Sequence, residues 1–136
     1  MEKKNLGRAN KRKGSNAERL YAKKFRDDLG FTHCKTSRFG SKLHDDAGID
    51  LIFIPFNVQI KAGYPRGLNY SKELKYLEEK MKILFPPTSI EHSLPKMIIH
   101  RKDKEKGRKS RVSYDDIVCM TYEDLVKIIK YKFKEG

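Results

Sequence analysis

Three polar residues lie in or just after a short apolar segment, where polar side chains are costly. Asp50 lies within the apolar run 49–54, and an ionised carboxylate in such surroundings needs a compensating partner. After a tight turn predicted at 55–57, Gln59 and Lys61 lie two positions apart, which on a strand places them on one face with about 7 Å between Cα atoms. Because the turn makes the two segments neighbours, we expect the three side chains to converge at a sheet edge.

This combination of side chains is suited to metal-dependent chemistry on a phosphate. Carboxylate and amide oxygens hold a hard divalent cation, and a nearby ammonium group orients a water molecule or offsets phosphate charge. Glu18, on the first predicted helix, is placed to add another oxygen. Each residue also has a structural interpretation. Glu18 would complete a capping box with Ser15. Asp50 would accept hydrogen bonds from loop amides, and the other two would be solvated strand residues.

Three helices are predicted from apolar residues at helical spacing. They cover 15–29, 71–85 and 122–133, and the residues that can cap them are Ser15, Ser71 and Thr121. The inward face of the last helix is predicted to carry Leu125, Ile128 and Ile129. Strands are predicted over 31–39, 49–54, 58–61, 96–100 and 116–120, with a polar loop at 40–48.

The order of these elements is helix, three strands, helix, two strands, helix. The chain has 136 residues, which is the size of a single domain, and no internal repeat is visible. The last two strands flank a basic segment, which is typical of a hairpin. We therefore predict an α/β fold, in which helices flank a mixed β-sheet of about five strands.

The charge of the chain is concentrated in two segments. Lys and Arg number 31 against 18 Asp and Glu, giving a net charge of +13, and residues 1–14 and 101–111 each carry +5. Charge runs are often only solvated surface, but two runs of one sign beside a nearly neutral body favour phosphate contact. We predict a nucleic-acid partner, a basic arm at 1–13 and a single domain at 14–136. The candidate contacts are Lys11, Arg12, Lys13, Lys102, Lys104, Arg108, Lys109 and Arg111.

Several classes of protein are excluded by composition. No apolar stretch approaches the roughly 20 residues of a membrane-spanning helix, and no apolar segment follows the basic N-terminus as in a signal peptide. Cys34 and Cys119 are too few for a disulfide framework or a four-thiolate zinc site. A reduced cytoplasmic setting is expected, that of the host if the protein is viral. The segment 44–46 (H-D-D) lacks a second His at zinc spacing, which favours a solvated acidic loop.

Four segments, in this order, resemble the PD-(D/E)XK nuclease superfamily, and in particular the archaeal-type and phage Holliday junction resolvases. They are K-G-S-N-A-E-R (13–19), S-R-F-G-S (37–41), G-I-D-L (48–51) and V-Q-I-K (58–61). Beyond Gly63 the resemblance is only architectural. It implies a restriction-endonuclease-like fold, Mg²⁺ dependence with Mn²⁺ as a substitute, and cleavage of branched DNA such as a four-way junction. It also implies a homodimer, since symmetric substrates suit two-fold enzymes.

The resemblance implies a role for each residue of the motif. Glu18 corresponds to the helix acid that helps to bind metal, and Asp50 to the metal-bridging acid. Gln59 stands at the position of the second acid, and Lys61 is the motif lysine. The metal would be held by the first three side chains together with a strand carbonyl, that of Ile60.

The resemblance also reaches the loop before Asp50 and departs from the family in two places. Ser41 and Arg38 correspond to loop residues that resolvases place near the scissile phosphate. Gly48-Ile49 replaces the usual proline, which matters little because the backbone is extended without it. Gln59 replaces an acid and removes one negative charge, which predicts weaker metal binding unless the helix acid compensates.

Three other interpretations stay open at this point. The chain could be another DNA-processing or restriction-type nuclease of the same fold. It could be a non-catalytic DNA- or RNA-binding module that lost its second acid at Gln59. A ribosome-associated basic protein would explain the two basic segments, but it would give no reason for Asp50 and Lys61 at this spacing.

Overall fold

A helix of 28 residues, α1 (Glu2–Leu29), is the first element of the computed structural model. The structure describes residues 2–64, 66–103 and 114–133. The predicted helix start at Ser15 was wrong, because the helix already includes most of the basic segment before it. Lys, Arg and Ala are good helix formers, so that segment continues the helix. Tyr21 and Phe25 are among the buried residues of α1.

Within the described residues, ten further elements follow α1. The helices are α2 (Ser37–Gly40), α3 (Lys42–Asp46), α4 (Tyr70–Leu84), a 3-10 helix (Ile90–Ser93) and α5 (Tyr122–Lys132). The strands are β1 (Lys35–Thr36), β2 (Leu51–Ile52), β3 (Asn57–Gly63), β4 (Lys96–Asp103) and β5 (Tyr114–Cys119). The mixed α/β class and the order of five strands are as predicted.

The strands form two sheets where one was predicted. β1 and β2 pair antiparallel in a two-stranded sheet, and a three-stranded sheet has the order β3-β4-β5. β3 pairs parallel with β4, in a register that places Gln59 opposite Ile98. β4 and β5 pair antiparallel, with His100 opposite Ile117, which confirms that these two strands are neighbours in a hairpin.

Between α1 and β3 the chain contains less strand than predicted. Of the predicted strand 31–39 only Lys35–Thr36 is extended, and the predicted loop 40–48 contains α3. Ser41 begins this helix, since its side chain accepts a hydrogen bond from the amide of His44 at 3.3 Å. β2 ends where Phe53 adopts a φ of +64°, a left-handed conformation that a strand cannot include.

The alternation of side chains along β3 separates its core face from its polar face. Val58 and Ile60 are buried in a cluster with Tyr21 and Phe25 of α1. Residues at the intervening positions point to the opposite face of a strand, and Gln59 is one of them. A second apolar cluster, separate from the first, joins α4 to the segment before β2 and comprises Ala47, Ile49, Leu77, Met81 and Phe85.

The caps of the last two long helices were predicted with mixed success. α5 begins at the predicted cap Thr121, whose hydroxyl accepts a hydrogen bond from the amide of Asp124 at 3.2 Å. α4 is capped by Asn69, whose side chain accepts from the amide of Lys72 at 3.1 Å. The predicted cap Ser71 lies inside the helix, because Asn69, two positions earlier, already caps its first turn.

The predicted inward face of α5 is only partly correct. Ile128 packs against the core, but Leu125 and Ile129 are exposed. Asp124 is buried instead, and its carboxylate accepts a hydrogen bond from the amide of Lys96 at 3.2 Å. The helix is therefore anchored by a polar contact to the start of β4, which turns two of its apolar residues outwards.

No described helix combines the length and the apolar character that a membrane crossing requires. Both cysteines are free thiols. Cys34 is buried in the core beside α1, and Cys119 lies partly buried at the end of β5. Burial raises the pKa of both thiols, which keeps them protonated and weakly nucleophilic near neutral pH.

Candidate active site

Asp50 is fixed against β3 by two short hydrogen bonds. Its amide donates to the carbonyl of Val58 at 2.7 Å, and its carboxylate oxygen Oδ2 accepts from the amide of Ile60, also at 2.7 Å. The carboxylate therefore lies beside the strand that carries Gln59 and Lys61. The predicted adjacency of the two segments is confirmed, although β2 and β3 belong to different sheets.

An open cavity of about 480 Å³ brings the four predicted motif residues together. Glu18 reaches it from the middle of α1, Asp50 from the residue before β2, and Gln59 and Lys61 from β3. The other residues of its wall are Lys13, Gly14, Arg38, Ile60, Ala62, Gly63 and Tyr64. Two acids, an amide and several cations from separate segments thus share one concave surface.

Glu18 is paired with an arginine and does not cap a helix. Its side chain is only 7% exposed, and Arg38 holds the carboxylate with two nitrogens, Nε to Oε2 and Nη2 to Oε1 at 3.4 Å. The hydrogen bond with this carboxylate raises the pKa of Arg38. The predicted capping box with Ser15 does not form, because both residues lie in the interior of α1. The guanidinium is thus the counter-ion of the helix acid.

Asp50 is held in surroundings that disfavour its charge. Burial raises the pKa of Asp50 well above its ordinary value, and the hydrogen bond from the Ile60 amide opposes this only in part. The negative charge of Glu18, a hydrogen bond with that carboxylate, and the charge of Asp45 raise the pKa further. Two adjacent carboxylates that repel each other are stabilised when a cation lies near both.

Gln59 presents an oxygen without a partner. Its Oε1 atom is buried and accepts no hydrogen bond from the described residues, and such an unsatisfied group in a folded protein calls for an explanation. Mg²⁺ binds through one or two carboxylates and completes its shell with water. Asp50, Glu18 and Gln59, which line the same cavity, offer oxygens of the kinds that such an ion binds. Ile60 lies in the cavity wall, and coordination through its carbonyl stays a prediction.

The described part of the chain contains no group of three or more His, Cys, Asp and Glu side chains suited to a metal. Two carboxylates and an amide are therefore the protein oxygens available at this position. This is the consequence expected from glutamine at the place of the second acid, since the amide contributes an oxygen but no charge. A divalent cation held here would take its negative ligand charge from Asp50 and Glu18.

Lys61 is held by an acid that the sequence motifs do not reveal. Its Nζ atom lies 3.6 Å from Oε2 of Glu73, and both side chains are about one-quarter exposed. Glu73 belongs to the first turn of α4. The helix that follows β3 therefore positions the ammonium group of Lys61 on that strand. The signal in the sequence is weak, because an acid in a first turn is equally explained by the helix dipole.

Ser41 lies away from the other predicted site residues. Its hydroxyl is 2.7 Å from Nδ1 of His44, whose Nε2 is 3.2 Å from Oε1 of Glu91. These residues line a different cavity, of about 600 Å³. The structure thus does not bring Ser41 together with Asp50, whereas Arg38 from the same loop does reach the motif residues.

The predicted nucleic-acid contacts are only partly located. Lys13 lies in the wall of the cavity, while Lys11 and Arg12 are exposed on the preceding turn of α1. Lys102 is partly buried on β4. The remaining predicted contacts, Lys104, Arg108, Lys109 and Arg111, lie outside the described residues.

Comparison with protein-family models, with curated proteins and with solved structures gives no match. The residues of this cavity and their geometry are therefore the basis on which a function can be assigned. The chemistry they offer is binding of a divalent cation by Asp50, Glu18 and Gln59, beside an oriented ammonium group and a cationic wall.

Proposed function

We propose that the protein is a Mg²⁺-dependent endodeoxyribonuclease with a restriction-endonuclease-like fold, which hydrolyses phosphodiester bonds in branched DNA. The observation that carries this proposal is the convergence of Glu18, Asp50, Gln59 and Lys61 in one open cavity. The net charge of +13 supports a polyanionic substrate. Branched DNA is the substrate class that the resemblance to resolvases implies.

Each residue has a distinct part in the proposed reaction, which adds one water across a P–O bond and leaves a phosphomonoester and a hydroxyl. Asp50, Glu18 and Gln59 hold the ion. When bound, Mg²⁺ polarises the phosphate and lowers the pKa of a water molecule. Lys61, directed by Glu73, orients the attacking water or offsets the charge that develops on the phosphate.

The cationic residues of the cavity wall have a separate role in the proposed reaction, which is to bind the DNA backbone. Lys13 and Arg38 line the same cavity as the acids. Once Glu18 shares a divalent cation, the guanidinium of Arg38 is available to a neighbouring phosphate, with the planar geometry that suits such oxygens. Ser41 reaches this phosphate only after its loop moves, so its contact stays a prediction.

A four-way junction contains two equivalent strands to cut. We therefore expect a homodimer that offers one cavity to each strand, because isologous dimers suit two-fold symmetric substrates. Light scattering after size-exclusion chromatography measures the mass in solution, and a mass of one chain at micromolar concentration would contradict this expectation.

A cleavage assay tests the proposed activity. Four-way junction, duplex and single-stranded DNA are incubated in Mg²⁺ with the wild type, Asp50→Asn, Lys61→Ala and the control Asp28→Asn, which changes an exposed acid at the end of α1. We expect the first two variants to lose about 100-fold or more in rate, and the control to cut like the wild type. Equal cleavage by wild type and Asp50→Asn would overturn the proposal.

A non-catalytic DNA-binding module is the second candidate. It is favoured by the neutral Gln59 and by the lack of a three-acid group among the described residues. A calorimetric Mn²⁺ titration separates the two candidates without using activity. Heat of binding that disappears in Asp50→Asn supports the nuclease, whereas equal titration curves for the two proteins support the module.

A further inference from the structure

The ammonium group of Lys35 lies over the exposed ring of Phe53, and the Lys35 side chain lies against Gly40, the residue after the exposed Phe39. We propose that Phe39, Lys35 and Phe53, here termed the aromatic platform, stack an unpaired nucleobase of the DNA. This inference rests on the proposed function, because it takes DNA as the ligand. It goes further by naming the feature of branched DNA that the protein recognises, which is a base without a pairing partner near the cleaved bond.

Phe39 exposes its ring almost completely to solvent. The residue is 88% exposed, although it lies between two residues with fixed positions. On one side, Arg38 is bound to Glu18 in the cavity. On the other side, Gly40 packs so closely on Ile52 that an added Cβ would lie 2.5 Å from that side chain. The ring is thus presented to solvent from a firmly held turn.

Phe53 is exposed at the cost of backbone strain. It is 63% exposed, and its φ is +64°, a region that residues other than glycine rarely adopt. Among the described residues, Phe53 and Tyr64 are the two non-glycine positions with positive φ, and Tyr64 lines the proposed active-site cavity. Strained residues of this kind cluster at ligand-binding sites. Because the Phe53 ring is exposed, packing in the core does not offset the cost of its strained backbone. Contact with a ligand is therefore the better explanation for this conformation.

Lys35 lies between Phe53 and Gly40, the residue that follows Phe39. Its Nζ lies 5.3 Å from the centroid of the Phe53 ring. Its Cε lies 2.8 Å from the position that a Cβ on Gly40 would take, next to Phe39. The platform therefore combines two aromatic faces with one cation. Aromatic faces and cations are the elements with which proteins bind single-stranded nucleic acid, the rings for the bases and the cations for the backbone.

The platform lies at a suitable distance from the proposed site of cleavage. Phe53 is three residues after Asp50, a span of at most about 11 Å along the chain, which is no more than about three stacked base steps of 3.4 Å. Phe53 also lines the open cavity of about 600 Å³ beyond β2, whose volume lies in the range of small-molecule pockets. A base displaced from a duplex thus has both a stacking surface and room.

An unpaired base matches the chemistry of this surface better than an apolar protein segment does. Lys35 places positive charge beside the Phe53 ring, and the chain as a whole carries +13, so a phosphate-linked ligand is attracted and held. Duplex DNA keeps its bases stacked inside the helix, whereas a branch point releases them. The platform therefore gives the protein a means to prefer branched over plain duplex DNA.

The test measures binding without cleavage, in Asp50→Asn protein with Ca²⁺ in place of Mg²⁺. The probes are a plain duplex and a branched DNA that carries 2-aminopurine, a fluorescent base, unpaired at the branch. The variants added are Phe39→Ala and Phe53→Gly, and the matched control is Phe133→Ala, an equally exposed ring at the end of α5. Phe53→Gly removes the ring and also relieves the positive φ, so its melting temperature should not fall.

We expect quenching of 2-aminopurine on binding, and a loss of about 10-fold in affinity for the branched probe in each platform variant. Affinity for the duplex and all values for Phe133→Ala should not change. Equal losses on both probes, or no loss, would overturn the inference, as would binding of an apolar peptide to the platform in preference to branched DNA. If the wild type and Phe39→Ala both cut branched DNA at the same rate, only the inference about the platform is overturned. Ring-dependent binding without Mg²⁺-dependent cleavage overturns only the nuclease.

Discussion

Asp50 is the residue at which stability and proposed activity conflict most directly. Its carboxylate is buried next to Glu18, and the resulting rise of its pKa means that ionisation is unfavourable in the metal-free protein. A structural aspartate would be better placed where its charge is solvated or paired. This conflict is expected at a site that binds a cation. The positive charge of the ion stabilises the ionised carboxylate, which offsets the free-energy cost of burial and of repulsion by Glu18.

The raised pKa of Asp50 predicts a pH dependence of stability in the absence of metal. Between the ordinary pKa of 3.8 and the higher value in the folded protein, the native state binds more protons than the unfolded state. The free energy of unfolding should therefore fall as pH rises through this window, by at most about 1.4 kcal/mol per pH unit. Urea unfolding with EDTA at several pH values measures the slope.

Asp50→Asn provides the comparison for this measurement. The amide keeps the size of the side chain and an oxygen for the Ile60 amide, but it cannot ionise. We expect the variant to lose the fall in stability above pH 3.8 and to be more stable than the wild type at neutral pH. The same slope in both proteins would show that another group causes the pH dependence.

Single residues differ in how well they could be predicted from the sequence. Asp50 and Gln59 line the same cavity because a short turn joins their segments, so local spacing predicts that they are neighbours. The pairs of Glu18 with Arg38 and of Lys61 with Glu73 depend on how helices pack on β3. No local pattern in the sequence specifies such packing. Each of these charged side chains has several possible partners, so the sequence does not determine which pair forms.

At the scale of elements, the segment between α1 and β3 departs furthest from prediction. Polar composition favoured a loop at 40–48 and an apolar run favoured a strand at 49–54, but Ser41 caps a helix in the first segment and positive φ at Phe53 ends β2 in the second. Side-chain hydrogen bonds to the backbone compete with strand pairing in such segments. The helices α4 and α5 were predicted nearly in full, because each carries its periodic pattern over several turns, whereas the prediction for β3 covered only its centre, residues 58–61.

Gly48 connects this irregular segment to the site, and its replacement is predicted to affect more than stability. Gly48 has a φ of +83°, and a Cβ there would lie 2.9 Å from Nε2 of Gln59. Gly30 has a similar φ of +78°, but no described atom would lie within 4 Å of its Cβ. Alanine at either position should cost about 1–2 kcal/mol for its left-handed backbone.

The two alanine variants therefore separate backbone strain from displacement of Gln59. We expect Gly48→Ala to weaken Mn²⁺ binding in a calorimetric titration, because the amide oxygen is pushed from its place, and Gly30→Ala to leave it unchanged. Urea unfolding provides the stability of each variant. Equal metal affinity in both would show that Gln59 does not take part in binding the ion.

For the whole molecule, the basic segment 101–111 predicts the salt dependence of DNA binding. Removing one cation that binds a phosphate should reduce the slope of log K against log salt by about 0.9. Lys104→Gln with Lys109→Gln should therefore reduce it by about 2. The control is Lys130→Gln with Lys132→Gln, an equal change of charge on α5, for which we expect no change. Fluorescence anisotropy between 50 and 300 mM salt, about the range over which such slopes are resolved, measures both.

The class and the element order of the whole molecule follow from the sequence, but its strand arrangement does not. Periodic patterns predict which segments are helices or strands, whereas pairing across the chain depends on contacts between distant residues. β3 pairs with β4 although a helix of 15 residues intervenes. The division into two sheets depends on the short β1 and β2, whose few hydrogen bonds leave no pattern in the sequence.

The parallel pairing of β3 with β4 has a consequence for synthesis of the chain. Asn57 pairs with Lys96, and Gly63 with Lys102, so β3 is synthesised before its partner strand exists. Until then the nascent chain presents an open backbone edge, which invites pairing with other chains. Termination between residues 64 and 95 would yield a polypeptide that contains Glu18, Asp50 and Lys61, yet lacks β4, the strand with which β3 pairs.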